Sequence, residues 1–357
     1  MKTSSLHQDL ALILAWPDAT IRGDEAWMMF FKKIGLVKNL NFKVGHTGII
    51  LIERATGELH FYDFGRYIAP RGHGRARSKK SDPRLNIQIK AKIDGYQIIN
   101  IAEIMHCLEN MKDAMQGFGD LYFTVVPNVD FNRAKAFADD WVTRGSYPYG
   151  AVAKNNNNCS RFITRLLIHA AQDFHFWHAI NFPETIKASP MSNIVNASIN
   201  KTIQKYSASS GLQTIPMTRF KSLLFLLNKL TSNIKLDLAN QLPEDITIGE
   251  MVQKEKPSSV PNDAQYLGGV GEGAWFHINP IGNNQAVIKR FTSKGELEYT
   301  VLAKAFQAID FTTPYHIHYD SHLMFSHIIQ QERIIRFDHI QILNLGNSEF
   351  SSAHKYA

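Results

Sequence analysis

A cysteine is reactive only as its thiolate, and two things favour that form. One is a position at the start of a helix, where unpaired N–H groups and the helix dipole attract negative charge; the other is an imidazole close enough to take the proton. Cys159 meets the first condition. Asn158 before it is a good N-cap, and the residues after it place Cys159, Ile163, Leu166 and Ala170 on one apolar stripe, with Ser160, Arg161, Thr164 and Arg165 away from it. The spacing predicts a helix over 159–171 whose first residue turns its sulfur toward the body of the domain. His46 is the candidate for the second condition. It opens Gly45-His46-Thr47-Gly48 and is followed by Ile49-Ile50-Leu51-Ile52, the pattern of a buried strand. Taken singly, each residue has a plainer reading, the cysteine as a small core residue and the histidine as a structural group. Together they suggest base-assisted attack of sulfur on a carbonyl carbon.

A third polar group usually orients the imidazole. The turn Ala55-Thr56-Gly57-Glu58 leads into Leu59-His60-Phe61-Tyr62-Asp63-Phe64, which returns as the partner of the His46 strand in a β-hairpin. With Thr56-Gly57 as a two-residue turn, His46 lies opposite Tyr67, and the same sheet face carries Gly65, Asp63 and Phe61. Parity favours Asp63 as the third residue. A one-residue bulge would reverse the parity, so His60, Glu58 and Tyr67 stay open as alternatives. Arg66 is expected to form a structural ion pair with Asp63 or, alternatively, to meet an anionic substrate.

The surrounding text supplies strands near 10–16, 86–91, 96–101 and 121–126, with helix over 102–111 and 132–143 and a helical or irregular stretch at 25–34. Helices mixed with antiparallel strands indicate an α+β fold. Two short segments narrow it. Tyr147-Pro148-Tyr149-Gly150, eight residues, then Cys159-Ser160-Arg161-Phe162-Ile163 resembles the nucleophile segment of NlpC-type papain-like peptidases, and Gly45-His46-Thr47-Gly48-Ile49 is similar to that family's histidine strand. Here the histidine precedes the cysteine. The histidines at 169, 175 and 178 lie in helical or loop text, and His277 is too far along to restore the usual order. The arrangement therefore resembles the circularly permuted, lecithin retinol acyltransferase-like branch of the superfamily, and within it uncharacterised bacterial proteins with no settled substrate. The resemblance implies a permuted papain-like fold, an antiparallel sheet packed against helices. It also implies Cys159 as nucleophile, His46 as base, and Tyr147, Tyr149 or Asn158 near the oxyanion, with no cofactor.

With 357 residues the chain can hold more than one domain. We expect a catalytic domain over 1–192, an extension and linker with an amphipathic helix over 193–261, a small β-rich domain over 262–345 and a polar tail over 346–357. No segment approaches the roughly 20 apolar residues of a membrane span, the 10–16 run lacks the flanks of a signal peptide, and two cysteines are too few for a disulfide scaffold. A cytoplasmic location fits free thiols. The formal net charge of +7 is concentrated between Arg66 and Lys92, where nine Lys/Arg face one acid, Asp82. A solvated loop is the plain reading of that run; a site for an anionic ligand or nucleic acid is the functional one.

Other signals carry less. His316, His318, Asp320 and His322 alternate along one strand, too spread out for a tight metal site, so no metal is expected. Gly268-Gly269-Val270-Gly271-Glu272-Gly273 lacks the Lys-Ser/Thr of a phosphate loop and reads as a bend, and Cys107 reads as core.

These readings converge on a thiol hydrolase, amidase- or peptidase-like, or an acyltransferase. It would form an acyl-thioester at Cys159 from an amide, ester or thioester of a small molecule or peptide. The alternatives are a non-catalytic binding module on the same scaffold and an anion or nucleic-acid binder using 66–92. If the pair operates, iodoacetamide alkylates Cys159 at pH 6.5 faster than an ordinary thiol, and His46→Ala removes the excess; equal rates in both proteins would exclude an ion pair.

Overall fold

The apolar run at 10–16 becomes the middle of a sheet. The structure is a computed structural model describing residues 9–23, 25–150, 155–170, 189–244, 249–253 and 255–346. The expectations for His175, His178 and all but the first residue of the polar tail lie outside the described residues. Strand Asp9–Trp16 pairs antiparallel with His46–Ile52 on one side and Leu121–Val129 on the other. A central strand covered on both faces should be apolar at every position, and Leu10 through Trp16 are all fully buried. The period-two alternation divides them. Ala11, Ile13 and Ala15 join a core with residues of helices Phe131–Arg144, Cys159–Ala170 and Pro190–Ala197, while Leu10, Leu12, Leu14 and Trp16 join one with helix Ile101–Asn110.

The eight-stranded antiparallel sheet runs in the order Tyr147–Pro148, His73–Arg77, Leu59–Gly65, His46–Ile52, Asp9–Trp16, Leu121–Val129, Thr202–Ser207, Gly211–Pro216. Its last hairpin comes from text that sequence alone assigned to the 193–261 extension. The hairpin turn differs from expectation. Gly48 pairs with Asp63 and Ile52 with Leu59, and a four-residue loop is closed by the Glu53 N–H donating to the Glu58 carbonyl. That moves the register by two residues relative to a Thr56-Gly57 turn. Because the shift is even, Asp63 keeps its face and Tyr67 loses the place directly opposite His46.

The 86–91 stretch is not a strand, and in 96–101 only Gln97–Ile98 pairs, with Ile93–Asp94. The Cys159 helix is buried beyond its expected stripe. Ser160, Arg161 and Thr164 are also inaccessible, because helix Pro190–Ala197 packs there: Thr164 Oγ1 donates to Asn193 Oδ1 (3.3 Å) and Asn193 Nδ2 to the Ser160 carbonyl (2.9 Å).

The basic run is the largest correction. His73–Arg77 is a sheet strand, not a solvated loop, and Arg75 and Arg77 are buried. Arg77 meets Asp63 and Asp82, so its charge is neutralised inside the protein, as burial of a guanidinium requires. This removes Arg75 and Arg77 from any nucleic-acid surface.

The C-terminal unit is a seven-stranded antiparallel sheet ordered Gln265–Leu267, Ala274–Pro280, Gln285–Thr292, Leu297–Ala305, Arg333–Leu345, Phe325–Gln330, His316–His322. Gln265 nearly closes it: its side-chain amide donates to the Tyr315 carbonyl (3.0 Å) and accepts from the Ile317 N–H (2.7 Å). Leu297–Ala305 has no counterpart among the strand-like pieces that the sequence offers at 268–278, 285–291, 316–327 and 333–342, and the 316–327 piece is two strands. The chain is therefore α+β, an antiparallel sheet packed against helices and followed by a β-rich unit. Among the described residues, no helix is long and apolar enough to cross a membrane.

Since Ile13 sits in the sheet centre with no exposed surface, Ile13→Ala should cost about 2–5 kcal/mol in denaturant unfolding. A change under about 1 kcal/mol would mean that this core can collapse around the cavity.

Candidate active site

His46 is placed by the residue before it. Gly45 has φ +81°, and a Cβ there would lie 2.8 Å from Pro17 Cα, so only glycine lets the chain enter the strand at this point. His46 then pairs with Trp16 and stacks on its ring, 6.4 Å between centroids. On the neighbouring strand Asp63 reaches His46 Nε2 at 3.1 Å through Oδ2. Tyr67 Oη donates to the same Asp63 oxygen and lies 3.4 Å from His46 Nε2. With Nε2 committed to this pair, Nδ1 is the nitrogen left for a further partner, and the Cys159 thiol is close enough to His46 to favour its charged form.

Cys159 begins its helix as the N-cap reading expected. Asn158 Oδ1 accepts from the Arg161 N–H (2.9 Å) and its carbonyl from the Phe162 N–H (2.9 Å). The Asn158 amide donates to the Gly150 carbonyl (3.2 Å), so this side chain builds the turn and is not turned to an oxyanion. The Tyr147–Gly150 segment is laced to the same turn: Asn157 N–H donates to the Pro148 carbonyl and Gly150 N–H to that of Asn157. Asn157, which sequence reasoning did not single out, is buried, and its amide has no partner among the described residues.

The two tyrosines separate. Tyr147 packs its ring against Trp141 (4.9 Å between centroids), a core contact. Tyr149 stacks on Phe64, lies under the Arg66 guanidinium at 4.4 Å, and is close enough to Cys159 for the thiolate to raise its pKa, adding to a larger effect of burial. His60 and Glu58 are not brought to the site. His60 sits opposite Leu51, pairs with Glu58 at 3.5 Å and rests against Phe131.

The ion pair expected between Arg66 and Asp63 is replaced by one from Arg77, whose Nη2 and Nε donate to the carboxylate at 2.8 and 3.2 Å. Arg66 instead donates to the Arg22 carbonyl (2.6 Å). The reason is sheet register: Arg77 is the direct cross-strand partner of Asp63, whereas Arg66 lies past the strand end. Arg77 was concealed in the basic run, although two arginines at period two beside a lone acid, Asp82, were a legible sign of buried pairing.

The electrostatics follow from this packing. Burial opposes charge on His46, but the hydrogen bonds and charges of Asp63 and Cys159 outweigh it and raise the imidazole to about 9. Burial would likewise raise Asp63, yet Arg77 and His46 hold it below the usual carboxylate range. At neutral pH these groups form an imidazolium between a carboxylate and a sulfur. His46, Arg66 and Tyr149 border a cavity of about 450 Å³, and Glu250, Val270 and Gly271 border it from the other side. The glycine-rich bend is thus a cavity wall. Gly271 N–H donates to the Arg66 carbonyl (2.7 Å), and a Cβ at Gly269 would sit 2.1 Å from the Tyr67 carbonyl oxygen, a backbone approach that only glycine permits. In the C-terminal unit, Asp320 accepts from Ser146 and His322 Nδ1 from the Met324 N–H, so these two serve the fold.

Two segments of the chain resemble known families. A family model described as type VI secretion system effector TseH-like matches residues 11–176. Residues 11–176 resemble TseH-like effectors. That match contains Cys159, His46 and Asp63, while a DUF6695 C-terminal domain model matches 264–340. A crystal structure of the type VI secretion system effector TseH matches with 18% identity and a TM-score of 0.42, over 59% of this chain and 99% of that one. No curated protein matches.

A histidine whose pKa is raised on folding stabilises the fold fully below its unfolded value of 6.5 and loses that contribution as pH rises through about 9. Wild-type unfolding free energy should therefore fall across that window relative to His46→Gln. Parallel pH profiles for the two proteins would show that His46 is not held as a cation.

Proposed function

We propose that this chain is a cysteine-nucleophile hydrolase or acyltransferase of the permuted papain-like kind, with its catalytic part in the segment similar to TseH-like effectors and the β-rich unit as a second domain. One observation carries the reading: a buried His46 at the wall of an open cavity is held by the Asp63 carboxylate at 3.1 Å, with the Cys159 thiol at a helix N-terminus close enough to raise the imidazole pKa.

In this reading the Cys159 thiolate attacks a carbonyl carbon of an amide, ester or thioester. The first-turn N–H groups of Cys159 and Ser160, which have no acceptor within the helix, receive the oxyanion. Collapse of the tetrahedral intermediate breaks the bond to the leaving group, and the imidazolium of His46 supplies that group's proton. The acyl-thioester left on Cys159 is attacked by water or an amine, with neutral His46 taking the incoming proton and Cys159 leaving as thiolate. Asp63 fixes the ring and stabilises its charge throughout, as the orienting acid of a triad does. Tyr149 and Arg66 border the acyl or leaving-group side. The effector likeness of residues 11–176 supports action outside the producing cell, in place of the cytoplasmic location that two free cysteines suggest.

Incubation with p-nitrophenyl acetate should give a burst of nitrophenolate and an acetyl adduct on Cys159 by mass spectrometry. Cys159→Ala should abolish the adduct, and His46→Ala should slow its formation by about 10²-fold or more. An adduct that forms equally in His46→Ala would point to a binding scaffold instead.

A further inference from the structure

The acid that orients His46 is itself held by a line of buried charges that does not end in its own sheet. Arg77 Nη1 donates to Asp82 Oδ2 at 3.0 Å. Asp82 accepts Arg84 Nη2 at 2.7 Å and Nε at 2.9 Å. Arg84 continues to two carboxylates of the C-terminal unit, Glu272 Oε1 at 2.6 Å and Glu298 Oε1 at 3.0 Å, and Glu298 Oε2 reaches Arg290 Nε at 2.7 Å. Every member except Arg84 and Glu272 is nearly inaccessible, and those two retain only 16% and 15% side-chain exposure.

We propose that Glu272 and Glu298 are positioning residues for His46, acting through Arg84, Asp82, Arg77 and Asp63, so that the active site is complete only when the C-terminal unit is docked. The proposal rests on the reading of Cys159 and His46 as nucleophile and base.

Charge and geometry both support it. Along the line the carboxylates are Asp63, Asp82, Glu272 and Glu298, and the guanidiniums are Arg77, Arg84 and Arg290; buried Arg75, close enough to Arg290, Glu272 and Arg77 to feel their charges, is a fourth, so every carboxylate is needed before His46 is charged as well. Removing one carboxylate leaves a surplus of buried positive charge, which disfavours the imidazolium. It also frees Arg84 to turn wholly onto Asp82, weakening the grip of Asp82 on Arg77 and so the placement of Asp63. A buried chain of this kind transmits displacement because each charge has no water to fall back on. The titratable groups facing His46 directly are Asp63 and Tyr67 from the adjacent strand and its continuation, and Cys159 from its helix. Glu272 and Glu298 touch none of these, so any effect on His46 must pass through the chain. Glu272 also sits in the glycine-rich loop whose neighbour Gly271 is bonded to Arg66, which fixes its approach.

The test is the pH profile of Cys159 alkylation by iodoacetamide in the full chain, for wild type, Glu272→Gln and Glu298→Gln. A stability control is Asp320→Asn, which removes a hydrogen-bond acceptor for the Ser146 N–H (2.7 Å) outside the line of charges and leaves that line in place. The two glutamine variants should lower the rate at pH 6.5 on the order of tenfold and move the onset of reactivity to higher pH, while Asp320→Asn lowers the melting temperature and leaves the onset in place. If the glutamine variants are destabilised but keep the wild-type onset, the carboxylates are merely structural and the proposal is overturned. A wild-type protein that itself reacts like an ordinary thiol overturns the nucleophile reading and this coupling with it. Should Glu298→Gln fail to fold, the partly exposed Glu272 decides the matter.

Discussion

Asp63 is a carboxylate with no exposure to water, and most of the site is a consequence of keeping it charged there. An ionised carboxylate in a dry interior is tolerated only with opposite charge and hydrogen bonds around it. Arg77 approaches from one side, Tyr67 donates from another, and His46 occupies the third. Tyr67 is itself held by the Arg77 guanidinium lying 3.4 Å above its ring. The imidazole is consequently fixed in direction and in charge before any substrate arrives, which is the kind of preorganisation that a base acting on a thiol requires.

The same constraint explains the internal use of so much positive charge. Arg77 cannot be buried with Asp63 alone, because its second face needs an acceptor, and Asp82 supplies it. Asp82 in turn holds Arg84, which carries the network into the β-rich unit. The two units meet through charge at the network, through backbone at the glycine-rich loop and through apolar contacts, with Ile68 in the core of the β-rich unit and Met324 against that of the first, and residues of both border the cavity.

Much of the first unit was legible because its signals are local. The helix expected over 132–143 follows from its apolar stripe and the strand over 10–16 from an unbroken apolar run, and Asn158 before Cys159 marked the helix start. Hairpin parity selected Asp63 over His60 even though the assumed turn was two residues too short, since side-chain direction depends only on whether the register shift is even or odd. The strand Leu297–Ala305 was missed because its charged Glu298 and Lys304 disguise an alternation that is apolar mainly on one face.

By itself, then, the sequence determined the reactive types and their local settings: a thiol at a helix N-terminus, a histidine at a strand start, and an acid on the histidine's face. Periodicity and capping act over a few residues and are written in order along the chain. Only the tertiary structure decided that Arg77, not Arg66, holds Asp63, that Tyr149 borders the cavity while Tyr147 packs on Trp141, and that Arg75 and Arg77 of the basic run are interior. It also decided that Glu272 and Glu298 join the network from about two hundred residues away. Those choices depend on which charges are brought together when water is excluded. That energy is absent in the extended chain and exists only once the two units have closed on each other.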